Sequence, residues 1–171
     1  CTIDTGADHA GLTAEYAAIP QELGRVCAVF GKQYLRDVDE DEFYARLPEL
    51  RRAAGDRAVL RAMHIFDENR RVHTIVSALR RDDFDTFLRC INESGLSSWL
   101  YLQNITPAGA AEHQEMALTL ALAKKLLGGR GAVRVHGGGF AGTALAFVPD
   151  DMYLGFVRGM ENVLGQGCCH A

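Results

Sequence analysis

The sequence predicts an α+β domain, a small and mostly antiparallel sheet with helices packed on one face. Three observations carry that prediction. Strand-like residues stand at both ends of the chain and around a glycine run near its C-terminus. Helical periodicity fills the middle. The 171 residues, 48% of them hydrophobic, are enough to bury a core as one domain or as part of a larger one.

Taken in order, Cys1-Thr2-Ile3 reads as a strand already under way, and residues 6 to 19 read as a loop. Pro20 suits the first position of a helix, and Leu23, Val26, Cys27 and Phe30 recur at i, i+3, i+4 and i+7 until Gly31. Asp39 caps the next helix, with Glu42 three residues on and Val38 set to pack against Phe43, and Pro48 closes it. From Asp56 to about Arg80, an apolar stripe through Val59, Met63, Phe66, Val72, Ile75, Val76 and Leu79 predicts one long helix. Asp82 starts a shorter one through Phe84, Phe87, Leu88 and Ile91, which Gly95 ends; the irregular "LSSWLYLQNITPAG" follows. Ala111 to Leu127, rich in Ala and Leu on more than one face, predicts a buried helix with Lys124 and Lys125 near its C-terminus and Gly128-Gly129 after it. Val133 and Val135, then Leu145, Phe147 and Val148, predict two strands. Asp150 or Asp151 caps a last helix to Gly165, and a strand begins near Cys168. Both ends therefore read as cut.

A net charge of -4, with Lys and Arg spread along the chain, gives no basic field for nucleic acid or an anionic membrane. Five cysteines without a C-x-x-C pair leave an odd thiol, which fits a reducing cytoplasm better than a disulfide framework. No initiator Met, export signal or membrane-crossing run is present.

The stretch "AVRVHGGGFAGTALAFVP" places Gly137, Gly139 and Gly142 at G-x-G-x-x-G spacing. A dinucleotide fingerprint needs a helix to begin within the glycines, whereas Thr143 to Val148 are strand-like; a P-loop needs a Lys that is missing. What remains is a strand, glycine loop and strand unit. Either it is a tight turn, or its unshielded backbone closely approaches an anion or another loop, and three adjacent glycines favour close approach.

The ordered set "IDTGADHAGLTAEY", "LRDV", "RAMHIFDENRRV", "INES" and "VHGGGFAGTALAFVP" resembles the C-terminal part of the galactokinases, of the GHMP kinase superfamily, across nearly the whole chain. "EYAAIP" and "SSWLYLQN" are similar to the bacterial branch. The resemblance implies that residues 1–171 form a C-terminal domain whose partner, an N-terminal domain carrying the sugar and ATP motifs, is absent. It implies a parent enzyme that transfers the γ-phosphate of ATP to the 1-hydroxyl of α-D-galactose with Mg2+. The alternatives within the resemblance are a kinase for a related sugar or amino sugar, and a catalytically silent sugar or nucleotide sensor; an unrelated α+β regulatory module is a further one.

By the same resemblance Tyr16, preceded by Leu12 and Glu15, lies against the sugar, and its phenol both donates and accepts. Gly137, Gly138, Gly139 and Gly142 match the family's third motif, which packs near the phosphate site and supports the nucleotide loop; His136 stands where Thr is common and Ala141 where a further Gly is usual. No catalytic or metal-binding residue is assigned, because the family's metal ligands, phosphate loop and Asp-Arg pair all precede residue 1. The fragment alone is expected to be inactive and, through its exposed seam, prone to self-association.

Other constellations read as structural. Gly95-Leu96-Ser97-Ser98 echoes a G-L-S-S-S phosphate loop but ends a helix rather than starting one. His64 and Glu68, at i and i+4, lack further metal ligands and support the neighbouring loop. Cys168, Cys169 and His170 alternate faces on a strand, so they cannot meet at one zinc. The acidic run Asp39 to Glu42 is explained by helix capping.

Overall fold

A computed structural model describes residues 1–8 and 10–171. Residue 9, within the segment read as a loop, lies outside the described residues. Four strands, β1 (Thr2–Asp4), β2 (Ala132–Val135), β3 (Thr143–Phe147) and β4 (Cys169–His170), form one sheet in the order β2-β3-β1-β4. Every pairing is antiparallel, with Ile3 opposite both Ala144 and Cys169, and Val133 opposite Ala146. The two chain ends thus meet the glycine-flanking strands in one layer, as an α+β reading requires.

The helices are α1 (Thr13–Val29), α2 (Glu40–Ala45), α3 (Leu47–Ala54), α4 (Asp56–Leu79), α5 (Phe84–Ser97), α6 (Glu115–Leu127) and α7 (Tyr153–Leu164). No helix among the described residues is long and apolar enough to cross a membrane. Strand alternation sends Val133, Val135, Ala144, Ala146 and Ile3 to one face, where Met116, Leu120, Phe156 and Met160 of α6 and α7 cover them. The helical cover extends past that face: α5 sits on the Ala132 side of β2, with Phe87 edge-on to Phe147 at 5.0 Å. A second core, centred on Val26, Phe43, Leu50, Val59 and Phe66, binds α1 to α4. Each such buried side chain contributes about 1.5–3 kcal/mol.

Several expected boundaries move, each for a local reason. Helix α1 starts at Thr13, so Pro20 lies inside it and not at its first position. Ala14, Ala17 and Ala18 favour helix strongly enough to carry two turns ahead of the proline, which removes one N–H and leaves the Tyr16 carbonyl without its i+4 donor. Asp39 caps α2 through Glu42 N at 2.9 Å, and Val38 and Phe43 share a cluster, as the capping signal requires. The Glu42 side chain turns instead to Arg46 at 3.1 Å, and Pro48 opens α3. The α5 cap is Asp83, bonded to Thr86 N at 3.0 Å; Asp82 precedes it at φ 55°. Helix α6 begins at Glu115 rather than Ala111. Asp150 and Asp151 sit in a 3₁₀ turn without a capping hydrogen bond, Asp151 being held by Arg130.

Gly95 does not end α5, which runs on to Ser97 and into a π turn at Ser98–Leu102. A Cβ on Gly95 would stand 2.8 Å from the Val133 carbonyl oxygen, so glycine here lets a helix cross a strand closely. Along the outer edge of β2, Asn92 accepts from Val133 N at 3.2 Å and donates to the Gly131 carbonyl at 3.1 Å. One side chain thus supplies two of the bonds a further strand would make.

Candidate functional site around the glycine loop

The turn from β2 to β3 is built from backbone that only glycine adopts freely. Gly137, Gly139 and Gly142 have φ of 70°, 85° and 79°. Phe140, buried at 3% exposure, also has φ 61°, and Ala141 N bonds the Gly139 carbonyl at 2.7 Å, a γ-turn of the rare positive-φ kind. Such strain persists only where the surroundings hold it.

Three elements do so. From α1, Tyr16 Oη donates to the Gly139 carbonyl at 2.8 Å, and its ring lies edge-on to Phe140 at 5.5 Å. From the end of β1, Thr5 donates through both N, at 3.0 Å, and Oγ1, at 2.7 Å, to the Gly142 carbonyl. From beyond the π turn, the Asn104 carbonyl accepts from Phe140 N at 2.5 Å while its Nδ2 donates to the Gly138 carbonyl at 3.0 Å. Asn104 is 2% exposed, and its Oδ1 has no hydrogen-bond partner among the described residues.

Gly138 and Gly139 are therefore used for close approach. A Cβ on Gly138 would meet Tyr16 Cε1 at 2.9 Å, and one on Gly139 would overlap Asn104, whereas one on Gly137 would meet nothing within 4 Å. Among the described residues the amides of Gly137, Gly138 and Gly139 have no hydrogen-bond acceptor, and residues 136–138 are exposed. This is backbone that can face an anion. The structure thus brings together Tyr16 and the glycine run, which lie far apart in sequence. His136 is held by Thr143, with Nδ1 to Oγ1 at 3.0 Å, and Ala141 is buried.

Sequence reasoning missed Thr5, Asn104 and the ion network that positions Asn104. Glu22, 4% exposed, takes Arg57 Nε at 2.9 Å and Arg61 Nη1 at 2.8 Å; Arg61, 1% exposed, donates Nε to the Leu102 carbonyl at 2.9 Å. Burial alone would raise the Glu22 carboxyl, but the Arg57 hydrogen bond and the charges of Arg61, Arg57 and Arg25 hold it below its ordinary value. Arg57 and Arg61 at i and i+4 on α4 were the available signal for a carboxylate facing them from another helix.

His64 and Glu68 join α4 to α5: His64 Nδ1 meets Ser97 Oγ at 2.9 Å, and Ser94 Oγ donates to Glu68 at 2.8 Å. Ser97 of the G-L-S-S echo and Ser94 of "INES" are thereby spent on helix packing. Burial, with Arg71 and Arg134 nearby, lowers the His64 pKa to about 4, so its ring is neutral at pH 7. Among the described residues no three His, Cys, Asp or Glu side chains converge as a metal's donor set. All five cysteines are free thiols. Cys168 precedes β4, so strand alternation separates Cys169 from His170 only, and the two sulfurs lie 3.9 Å apart. Burial, then Cys168, pushes the Cys169 thiol up to about 12.

No protein-family profile matches the chain. It is 31% identical over 149 residues to a galactokinase of Glaesserella parasuis and 32% identical to one of Haemophilus influenzae, in each case over 87% of this chain and 37% of the relative. The chain thus spans little more than a third of the curated relatives it matches. A solved galactokinase of Lactococcus lactis, complexed with galactose, shares the fold at a TM-score of 0.75 and 22% identity, covering 96% of this chain and 42% of that one. By sequence the chain is similar to a C-terminal part of the galactokinases, and it shares the fold of a solved one.

Proposed function

We propose that residues 1–171 are the C-terminal domain of an enzyme that transfers the γ-phosphate of ATP to the 1-hydroxyl of α-D-galactose. The observation that carries this reading is the Tyr16–Gly139 hydrogen bond, because it joins the residue expected beside the sugar to the loop expected beside the phosphates. Tyr16 donates its proton to the Gly139 carbonyl, so in this reading it meets a sugar hydroxyl as an acceptor. The exposed amides of Gly137 and Gly138 give the phosphate side positive backbone dipoles without a mobile side chain.

Magnesium would supply charge neutralisation for the transferred phosphoryl group. In this reading its ligands belong to the N-terminal domain that the resemblance implies. The chain alone, expected in the cytoplasm, then holds one wall of a site and transfers nothing. Its exposed Leu96, Trp99, Leu100 and Leu118 make self-association the expected behaviour of the isolated piece.

The test follows galactose 1-phosphate directly. The chain extended by its preceding sequence should form it from ATP, Mg2+ and galactose, and the chain alone should not. Failure of the extended enzyme with galactose, or turnover by the chain alone, would overturn the reading.

A further inference from the structure

A groove of about 790 Å³ runs between α5 and α6 over the outer side of β2, and it shares no lining residue with Tyr16 or the glycine loop. Its size falls in the range of small-molecule sites, roughly 300–1,000 Å³. The walls are apolar: Leu88 and Leu96 from α5, Trp99 from the π turn that follows it, and Leu120 and Ala121 from α6. Leu96 and Trp99 are 53% and 40% exposed there. Asn92 already occupies the hydrogen-bonding edge of β2, so the groove is not a seat for an added strand.

Charge narrows the occupant. On a chain of net charge -4, the groove is lined by four basic side chains, Arg89, Lys124, Arg130 and Arg134, against two acidic ones, Asp85 and Glu93. Three of the four are engaged: Arg89 with Glu93 at 2.8 Å, Arg130 with Asp151 at 2.7 Å, and Arg134 with the Val135 carbonyl at 3.0 Å. Lys124 has no carboxylate partner among the described residues. An apolar slot with one half-exposed indole and one uncommitted ammonium suits a ligand that is flat and apolar at one end and anionic at the other.

We propose that this groove binds a small aromatic anion, with its ring against Trp99 and Leu96 and its carboxylate or phosphate met by Lys124. Trp99 is the chain's single tryptophan, so its emission reports the groove alone. The probes are 1-naphthyl phosphate and 2-naphthoate, with uncharged 2-naphthalenemethanol as the neutral control. Both anions should quench Trp99 saturably, with midpoints below millimolar, and the stronger of the two identifies the charged group. Added salt should weaken them. Lys124→Glu should weaken both by about tenfold or more while leaving helix content unchanged, with Lys124→Gln intermediate. Linear quenching, equal binding of the alcohol, or unchanged affinity in both Lys124 variants would overturn the proposal. So would sedimentation showing that the probes act only by dispersing a dimer seated on the groove.

Discussion

Replacing Gly139 by Ala should damage the loop far more than the same replacement at Gly137, two residues away. Both glycines sit at positive φ, 85° and 70°, so each alanine is forced into a conformation that costs about 1–2 kcal/mol for an L residue. At Gly137 that is the whole effect, because the added methyl meets nothing within 4 Å. At Gly139 the methyl would overlap the Asn104 carbonyl oxygen and stand 2.7 Å from its Cγ. Asn104 cannot move aside freely, since it holds both Phe140 N and the Gly138 carbonyl. Forcing an extra methyl into such a contact costs about 1–3 kcal/mol more, giving about 2–5 kcal/mol in all. Urea unfolding of the 171-residue chain, followed by far-UV circular dichroism, measures both variants against the parent. Hydrogen exchange should also show the Phe140 amide losing protection in Gly139→Ala and keeping it in Gly137→Ala. Equal midpoints for the two variants would refute the claim that close approach, and not turn flexibility, is what this glycine provides.

Tyr16→Phe removes the donor to Gly139 and should destabilise the loop by about 0.5–1.5 kcal/mol; in the extended enzyme it should cost roughly tenfold in sugar turnover at most, and unchanged kinetics would remove Tyr16 from the site. Arg61→Met leaves buried Glu22 with one fewer partner and frees Leu102, so a loss of about 3–5 kcal/mol is expected in thermal or chemical unfolding; a loss below about 1 kcal/mol would show that the network is dispensable. His64 is held neutral when folded, with a pKa of about 4 against about 6.5 unfolded. Protonation therefore favours the unfolded chain, and stability present above pH ~6.5 should drain as pH falls towards ~4, by up to about 3 kcal/mol. His64→Gln should flatten that part of the pH profile, and an unaltered slope would assign the acid sensitivity elsewhere.

The sequence displayed what depends on period and on capping. The long stripe of α4, the Asp39 cap and the two strands around the glycines follow from neighbours in the chain, and they stand where periodicity puts them. The resemblance singled out Tyr16 and the glycines separately, and the fold joins them over 123 residues. Asn104 was illegible because its task is set by what lies across the π turn, and a lone Asn in an irregular segment carries no pattern. Gly95 and Pro20 misled because each, as a local signal, marks a helix boundary; the close crossing of β2 explains the first, and the alanine-rich turns ahead of the proline override the second. The Glu22–Arg61 pair needed two helices to be set side by side before its partners existed.

The Asn92 amide on β2 has a consequence for how this protein behaves in a crowd. Open sheet margins recruit other chains, and most proteins defend them with charge, bulges or brevity. Here β2 is guarded by the Asn92 carboxamide and by the close crossing of α5 that carries it, while the opposite margin, β4, is two residues long. The safeguard is only as durable as the docking of α5. Partial melting of that helix on heating would uncover β2 while the rest of the sheet was still intact, and the first species to stick together would be nearly native molecules joined strand to strand, not unfolded ones.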